Sequence, residues 1–220
     1  MIPRVPDFGP APPPGLRLVH ADAALLILDK PSGLLSVPAK PPGPSDCLEA
    51  RVRAAFPEAL LVHRLDGDTS GLMVFARTRL AQRHLGWQFE RRQVEKTYVA
   101  RVQGRVAAEA GRIDLPLICD WPNRPLQMVC HMRGKPAVTE WRVLAREAEA
   151  TRLELTPLTG RSHQLRVHLK ALGHPILGDR FYAPPEAIAA APRLQLHAAR
   201  LAFRHPEGGA WIAFTEPSPF

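Results

Sequence analysis

The 220-residue chain has few cysteines, few lysines and no long apolar run. Its three cysteines, Cys47, Cys119 and Cys130, are odd in number and show no C-x-x-C spacing, which fits a reduced intracellular protein rather than a disulfide framework. A membrane span would need about 20 consecutive apolar residues, and a secretory leader needs an apolar stretch near the N-terminus. Neither pattern occurs, so the sequence predicts a soluble cytoplasmic protein.

Motifs that hold a cofactor or a metal are also lacking. The chain has no phosphate-binding loop sequence and no G-x-G-x-x-G. His163 and His168 are five residues apart on a predicted helix, where they would not share a face, so they are not expected to bind a metal together. The sequence predicts no cofactor and no metal.

Arginine, by contrast, is abundant. Of the 29 basic residues 24 are arginine, and against 21 acidic residues they give a net charge of +8 and a pI near 10.1. Guanidinium groups bind phosphates through paired hydrogen bonds and stack on bases, so this excess favours a polyanionic partner. A GC-rich genome would explain why arginine is used in place of lysine. It explains less well why basic residues outnumber acidic ones.

The distribution of apolar residues predicts a short arm and one globular domain. Residues 1–15 contain six prolines and no apolar periodicity, which predicts an extended arm, and the body would run over residues 16–220. The hydrophobic fraction of 45% is enough for one sizeable core. Many short strands and few helices, without regular β–α alternation, favour an α+β fold with a largely antiparallel sheet.

The same patterns place individual elements. Helices are expected over residues 47–56, 79–93 and 163–172, the first capped by Ser45 or Asp46 and the last by Ser162. Strands are expected over residues 24–29, 94–102, 137–146, 151–158, 195–203 and 210–215, and those at 137–146 and 151–158 should form an antiparallel pair.

Residues 62–71, VHRLDGDTSG, carry most of the functional information. Apolar runs at 60–62 and 72–76 flank a polar loop that holds Asp66 two positions after Arg64. This pattern predicts a strand, a tight loop and a strand, with one acid at the turn, where binding and catalytic groups tend to lie. Taken alone, an aspartate followed by glycine is more often a turn former than a catalytic group.

Residues 63–71 resemble the signature H-R-L-D-x-x-T-S-G of the RluA family of pseudouridine synthases and match it at all seven specified positions. Two further segments match family motifs in the expected order, residues 96–100 (KTYVA) and residues 160–166 (GRSHQLR). The similarity runs from about Leu16 to the C-terminus. Three motifs in order favour a catalytic Asp66 over a mere turn former.

Two further segments, residues 114–125 and 173–182, resemble particular members of the family. Those members modify two RNAs, a hairpin of 23S ribosomal RNA and the anticodon stem-loop of certain tRNAs. The resemblance implies a mixed central sheet with flanking helices and a catalytic cleft across one face. Other members carry an N-terminal S4 RNA-binding domain, and the 15 residues before the body leave no room for one, so none is expected.

The resemblance also implies the reaction. The enzyme would break the glycosidic bond of a uridine in structured RNA, turn the uracil and rejoin its C5 carbon to the same sugar carbon. Such an isomerisation requires no cofactor or metal, and no membrane or obligate protein partner is expected.

Three residues take catalytic roles by resemblance. Asp66 is the family's catalytic carboxylate, which either attacks the anomeric carbon or removes the C2′ proton. Arg161 is expected to pair with Asp66 and keep it charged, and Tyr98 to stack on the extruded uracil. Asp68 is expected to have no part in catalysis, because two acids two positions apart in a tight loop rarely reach one bond.

Other residues are expected to contact RNA, with Arg64 filling the stack that the extruded base leaves. The predicted contacts are Arg64, His63, Leu165, Arg166, Trp121 and Arg124. For three of these residues a role without RNA contact stays open: Arg64 as a surface or ion-paired arginine, Arg166 on a solvated helix face, and Trp121 as a core tryptophan.

Two alternative functions for the whole protein also stay open. One is a non-catalytic RNA-binding or chaperone protein on the same scaffold, and the other is a glycoside hydrolase.

Overall fold

The computed structural model describes residues 15–39 and 46–220, which form two compact units. The first unit consists of the described residues up to Val94 together with Ala202–Phe214, and the second consists of Glu95–Leu201 with Thr215–Phe220. The arm predicted over residues 1–15 lies outside the described residues except for Gly15. A single catalytic domain over residues 16–220 stays a prediction.

Antiparallel strands and two helices make up most of the first unit. In chain order they are β1 (Arg17–Ala21), β2 (Leu25–Lys30), α1 (Leu48–Ala55), β3 (Leu60–Leu61), β4 (Ser70–Ala76) and α2 (Arg79–Glu90). Strand β2 lies between β1 and β4, and β3 pairs with the end of β4. All seven residues of β4 are buried, as in a strand covered on both faces.

Helix α1 begins at a cysteine cap. The sulfur of Cys47 accepts a hydrogen bond from the Ala50 amide at 3.4 Å, so the cap predicted at Asp46 is wrong. The carboxylate of Asp46 instead accepts two hydrogen bonds from the guanidinium of Arg51, at 2.8 and 2.6 Å. Because its oxygens bind Arg51, they do not cap the amides of the helix. The other predicted cap, Ser45, lies outside the described residues.

The second unit contains a four-stranded antiparallel sheet in the order β5-β10-β9-β6, and a separate hairpin formed by β7 and β8. Its elements are β5 (Glu95–Gln103), β6 (Ala110–Asp114), β7 (Leu117–Cys119), β8 (Gln127–Val129), β9 (Val138–Arg146), β10 (Ala150–Pro157), α3 (Gln164–Ala171) and α4 (Pro185–Ala189). The predicted antiparallel pairing of β9 with β10 is confirmed. Two further strands, β11 (Leu196–Arg204) and β12 (Trp211–Thr215), have residues in both units.

The core of the second unit forms between its sheet and α3. Ala100 and Val102 of β5 and Leu153 of β10 are fully buried and pack with Leu165 and Leu169 of α3. A spacing of four residues places these two leucines on one face of the helix. Antiparallel strands with few helices confirm the predicted α+β class. No described helix is long and apolar enough to cross a membrane.

Helix α3 begins at Gln164, one residue later than predicted, and Ser162 does not cap it. The preceding residue, His163, has a φ of 52°, in the left-handed region, and makes no side-chain cap. Instead the Gln164 side-chain oxygen accepts the Arg161 amide N–H at 3.0 Å and the Thr159 hydroxyl at 2.7 Å. The first residue of the helix thereby fixes the backbone of Arg161.

Candidate active site

Asp66 lies in the loop that joins β3 to β4. The Thr69 amide donates a hydrogen bond to the Asp66 carbonyl oxygen at 3.1 Å and closes a turn. Leu65 is buried, whereas Asp66 is half-buried, so the acid lies at the boundary between core and surface. The structure thus forms the predicted strand, turn and strand with one acid at the turn.

The segment that follows β2 holds the backbone on both sides of Asp66. Before it, the Ser36 hydroxyl donates to the Leu65 carbonyl at 2.6 Å and accepts the Leu65 amide N–H at 3.1 Å. After it, the Ser32 hydroxyl donates to the Asp68 carbonyl at 2.6 Å. These hydrogen bonds restrict the backbone from which the Asp66 side chain projects.

A buried lysine adds to this support. Lys30, the last residue of β2, has no exposed surface, and its Nζ donates to the carbonyl oxygens of Gly67 at 2.8 Å, Pro31 at 2.9 Å and Leu34 at 2.6 Å. A buried charge is tolerated only when it is paired or hydrogen-bonded, so these carbonyls account for its position. Lys30 is therefore a positioning residue for the loop. Its role was not predicted from the sequence, although a lysine that ends an apolar strand was an available signal.

Replacing Lys30 with methionine should loosen the loop, because three carbonyl oxygens lose their donor. We expect the free energy of unfolding to fall by about 2–3 kcal/mol. We also expect the turnover number to fall more than the RNA affinity, because catalysis depends on how precisely the reacting groups are held. Urea unfolding and steady-state kinetics measure both effects, with Arg83→Met on the exposed face of α2 as the control. Wild-type stability in Lys30→Met would contradict this role.

His63 and Arg64 precede Asp66 and differ in their surroundings. The Val74 amide donates to Nε2 of His63 at 3.1 Å, and the imidazole stacks on the Phe89 ring with centroids 4.5 Å apart. His63 thus ties the loop to β4 and α2, as a supporting residue would. Arg64 is exposed. RNA contact by either residue stays a prediction.

Tyr98 and Arg161 belong to the second unit. Tyr98 is half-buried in β5, packs against the core cluster and lies opposite Leu155 of β10. Arg161 is half-buried, and its Nε donates to the Pro136 carbonyl at 3.2 Å. The predicted pairing of Arg161 with Asp66 and the stacking of Tyr98 on uracil stay predictions.

The two α3 residues expected to contact RNA are both buried. Arg166 is 1% exposed, and its guanidinium donates to both oxygens of Asp179 at 2.8 and 2.6 Å, over the rings of Phe181 and Tyr182. A guanidinium enclosed in this way cannot reach a phosphate, so the predicted RNA contact of Arg166 is wrong. Leu165 is 7% exposed and packs in the core of the second unit; its contact with the base stays a prediction.

The loop between β7 and β8 presents an aromatic side chain and an arginine together. Trp121 is 65% exposed, so the alternative of a core tryptophan is wrong. The guanidinium of Arg124 lies over the indole, 4.6 Å from its centroid, which presents a stacked, cationic surface. Such a pair suits base stacking, and its contact with RNA stays a prediction.

Within residues 15–39 and 46–220 no group of three or more His, Cys, Asp and Glu side chains is placed to hold a metal ion. The candidate catalytic groups predicted from the sequence are a carboxylate, which lies on a supported loop, a tyrosine and an arginine. One carboxylate can act as a nucleophile or as a base, and neither role needs a second acid.

Comparison with known proteins identifies the class. Residues 24–171 match the family model described as RNA pseudouridylate synthase, and the chain belongs to this family. It is a pseudouridine synthase, an isomerase, which confirms the function class predicted from the loop and the two other motifs.

Individual relatives resemble the chain over nearly its whole length. The dual-specificity RNA pseudouridine synthase RluA of Salmonella typhimurium is 51% identical over 215 residues, which are 97% of this chain and 98% of that protein. The protein of the same name from Yersinia pestis is 54% identical over 198 residues, 90% and 96% of the two chains. Among solved structures, human RNA Pseudouridylate Synthase Domain Containing 1 has a TM-score of 0.81 at 27% identity, covering 96% of this chain and 87% of that one.

Proposed function

We propose that this synthase is dual-specific and acts in the cytoplasm on a hairpin of 23S ribosomal RNA and on the anticodon stem-loop of tRNA. The observation that carries the proposal is the identity of 51–54% with proteins named as dual-specificity synthases, over at least 96% of their length. The net charge of +8 suits two RNA substrates of different sequence, because phosphate contacts are shared by all RNA.

In this proposal Asp66 is the catalytic carboxylate. It either forms a bond to C1′ as the bond from C1′ to N1 breaks, or takes the C2′ proton as the uracil leaves. The released uracil turns and its C5 bonds to C1′. In the first route the bond between Asp66 and C1′ breaks at this step, and in the second route Asp66 returns the proton to C2′. The C5 proton is then lost while N1 gains one, so atoms and charge balance without a cofactor. The supported backbone of residues 65–68 favours Asp66, because such chemistry requires a carboxylate held in one place.

The other roles follow the resemblance. Arg161 would keep Asp66 ionised, since a nearby cation opposes the rise in pKa that burial causes in a carboxylate. Tyr98 would stack on the extruded uracil, and Arg64 would fill the space that the base leaves in the RNA. Trp121 and Arg124 would stack on an unpaired base of the stem-loop.

Mapping pseudouridine in total RNA tests the proposed substrates. In cells that lack this gene, we expect pseudouridine to disappear from one 23S site and from one anticodon stem-loop position, and to return when the wild-type gene is restored. Chemical labelling of pseudouridine followed by reverse transcription locates each site. Loss from only one of the two RNA classes would refute dual specificity while leaving the isomerase intact.

A further inference from the structure

A basic pocket lies along strand β7 of the β7–β8 hairpin in the second unit. Its volume is about 430 Å³, within the usual range for a ligand site. Its lining residues are Leu117, Ile118, Cys119, Gln127, Arg133, Lys135, Gly160, Arg161 and Ser162. Three of these carry a positive charge and none carries a negative one.

The three cations are Arg133, Lys135 and Arg161. No carboxylate of the second unit lies within 4.0 Å of their side-chain nitrogens. On the sheet of the same unit, by contrast, Arg112 pairs with Glu140 and Arg142 pairs with Glu154. Like charges gathered around a concave site repel one another and attract an anion, so the pocket favours a negatively charged group.

Further donors at the pocket suit an oxyanion. Ser162 supplies a hydroxyl and Gln127 an amide. In the adjoining turn, the pKa of the Cys130 thiol is lowered, chiefly by the Arg133 backbone N–H and also by the Arg133 charge. The turn therefore stabilises a negative charge close to Arg133.

The hairpin is held firmly on the second unit. The Tyr182 hydroxyl accepts the Gln127 amide N–H at 2.9 Å and bonds to Nδ1 of His163 at 2.6 Å. Leu117 and Val129 of the two strands pack with the same tyrosine. Strand β7 is three residues long, about 10 Å, so the loop of Trp121 and the pocket are close enough for one RNA strand to touch both.

We propose that this pocket binds one backbone phosphate of the RNA substrate, with Arg133 and Lys135 as its charged contacts. The inference rests on the proposed RNA function. It adds to that function a binding site for the RNA strand beside the β7–β8 hairpin. The phosphate would fix the register of the strand, while the loop of Trp121 and Arg124 stacks on a base. Neither Arg133 nor Lys135 was among the residues predicted from the sequence.

The first test measures the salt dependence of RNA binding by the full chain. The variants are Arg133→Gln and Lys135→Gln, and the matched control is Arg142→Gln, which removes the same charge from an exposed pair. The RNAs are synthetic copies of the 23S hairpin and of the anticodon stem-loop. At 100 mM KCl we expect each pocket variant to raise the Kd for these RNAs about 5- to 20-fold. We also expect each variant to reduce the slope of log affinity against log salt concentration by about 1. Pocket variants that behave like Arg142→Gln would overturn the proposal.

The second test locates the phosphate. Stem-loops are made with a neutral methylphosphonate at one position at a time, and each is titrated with wild type and Arg133→Gln. At one position we expect about a 10-fold loss of affinity in the wild type but less than about 2-fold in the variant, because that contact is already gone. Losses that are equal in both proteins at every position would refute the phosphate site.

Competition with inorganic phosphate separates an RNA contact from a general anion site. If inorganic phosphate binds in the pocket but no methylphosphonate position shows coupling to Arg133, the pocket is a general anion site. The proposal that it binds an RNA phosphate is then overturned. Failure of the wild type to convert either stem-loop would instead count against the proposed function, since binding and conversion are measured independently.

Discussion

Asp66→Asn should abolish pseudouridine formation and leave RNA affinity within about threefold of wild type. The asparagine amide has nearly the shape of the carboxylate but cannot act as a nucleophile or as a base at neutral pH. We expect the single-turnover rate to fall at least about 10⁴-fold, as when other enzymes lose their principal reactive group. The assay digests the RNA to nucleosides and separates uridine from pseudouridine by chromatography, because the two have the same mass.

The chain offers a matched control two residues away. Asp68→Asn makes the same change in the same loop, and the hydrogen bond from Ser32 reaches the Asp68 backbone, which the substitution keeps. We expect its rate to stay within about threefold of wild type. If Asp66→Asn keeps more than a tenth of the activity, Asp66 is not the catalytic carboxylate.

The same pair of variants separates the competing functions. A non-catalytic RNA-binding or chaperone protein would bind RNA without producing pseudouridine in either variant or in the wild type. A glycoside hydrolase would release free uracil and leave an abasic sugar, whereas an isomerase leaves the base attached. Membership of the pseudouridylate synthase family identifies the protein as the isomerase, and the product assay measures that activity directly.

The loop of Asp66 could be predicted because its signals are local. A short apolar run, a polar turn and a second apolar run are contiguous in the sequence, and the structure forms β3, the loop and β4 in that order. The support around the loop is not local. Lys30 reaches the Gly67 carbonyl across 37 positions, and Ser36 reaches Leu65 across 29. Pairs so far apart depend on how the strands pack, which no short pattern encodes.

The wrong prediction for Arg166 has the same cause. Helix periodicity places Arg166 and Lys170 on one face, yet Arg166 is buried and Lys170 is exposed. The difference is set by Asp179, thirteen residues later, which draws the guanidinium into the interior. For Trp121 only the alternative of a core tryptophan is wrong, because the side chain lies exposed on a loop although a tryptophan is usually buried.

Breaking the buried pair of Arg166 and Asp179 should give the largest loss of stability. Their side chains are 1% and 0% exposed, and the removal of either leaves the other charge in a dry interior. We expect Arg166→Met and Asp179→Asn each to lower the free energy of unfolding by about 3–5 kcal/mol, measured by urea unfolding. The exposed pair of Arg142 and Glu154 is the comparison, and Arg142→Met should cost about 1 kcal/mol or less.

A double variant distinguishes loss of the pair from loss of packing. In Arg166→Met with Asp179→Leu no charge is left buried, so we expect it to recover at least about half of the stability lost by Arg166→Met alone, because apolar side chains often replace a buried pair at little cost. If the double variant is no more stable than Arg166→Met, the contacts of the guanidinium with Phe181 and Tyr182 matter more than its charge. If Arg166→Met is instead as stable as wild type, the burial of this pair contributes nothing to the fold.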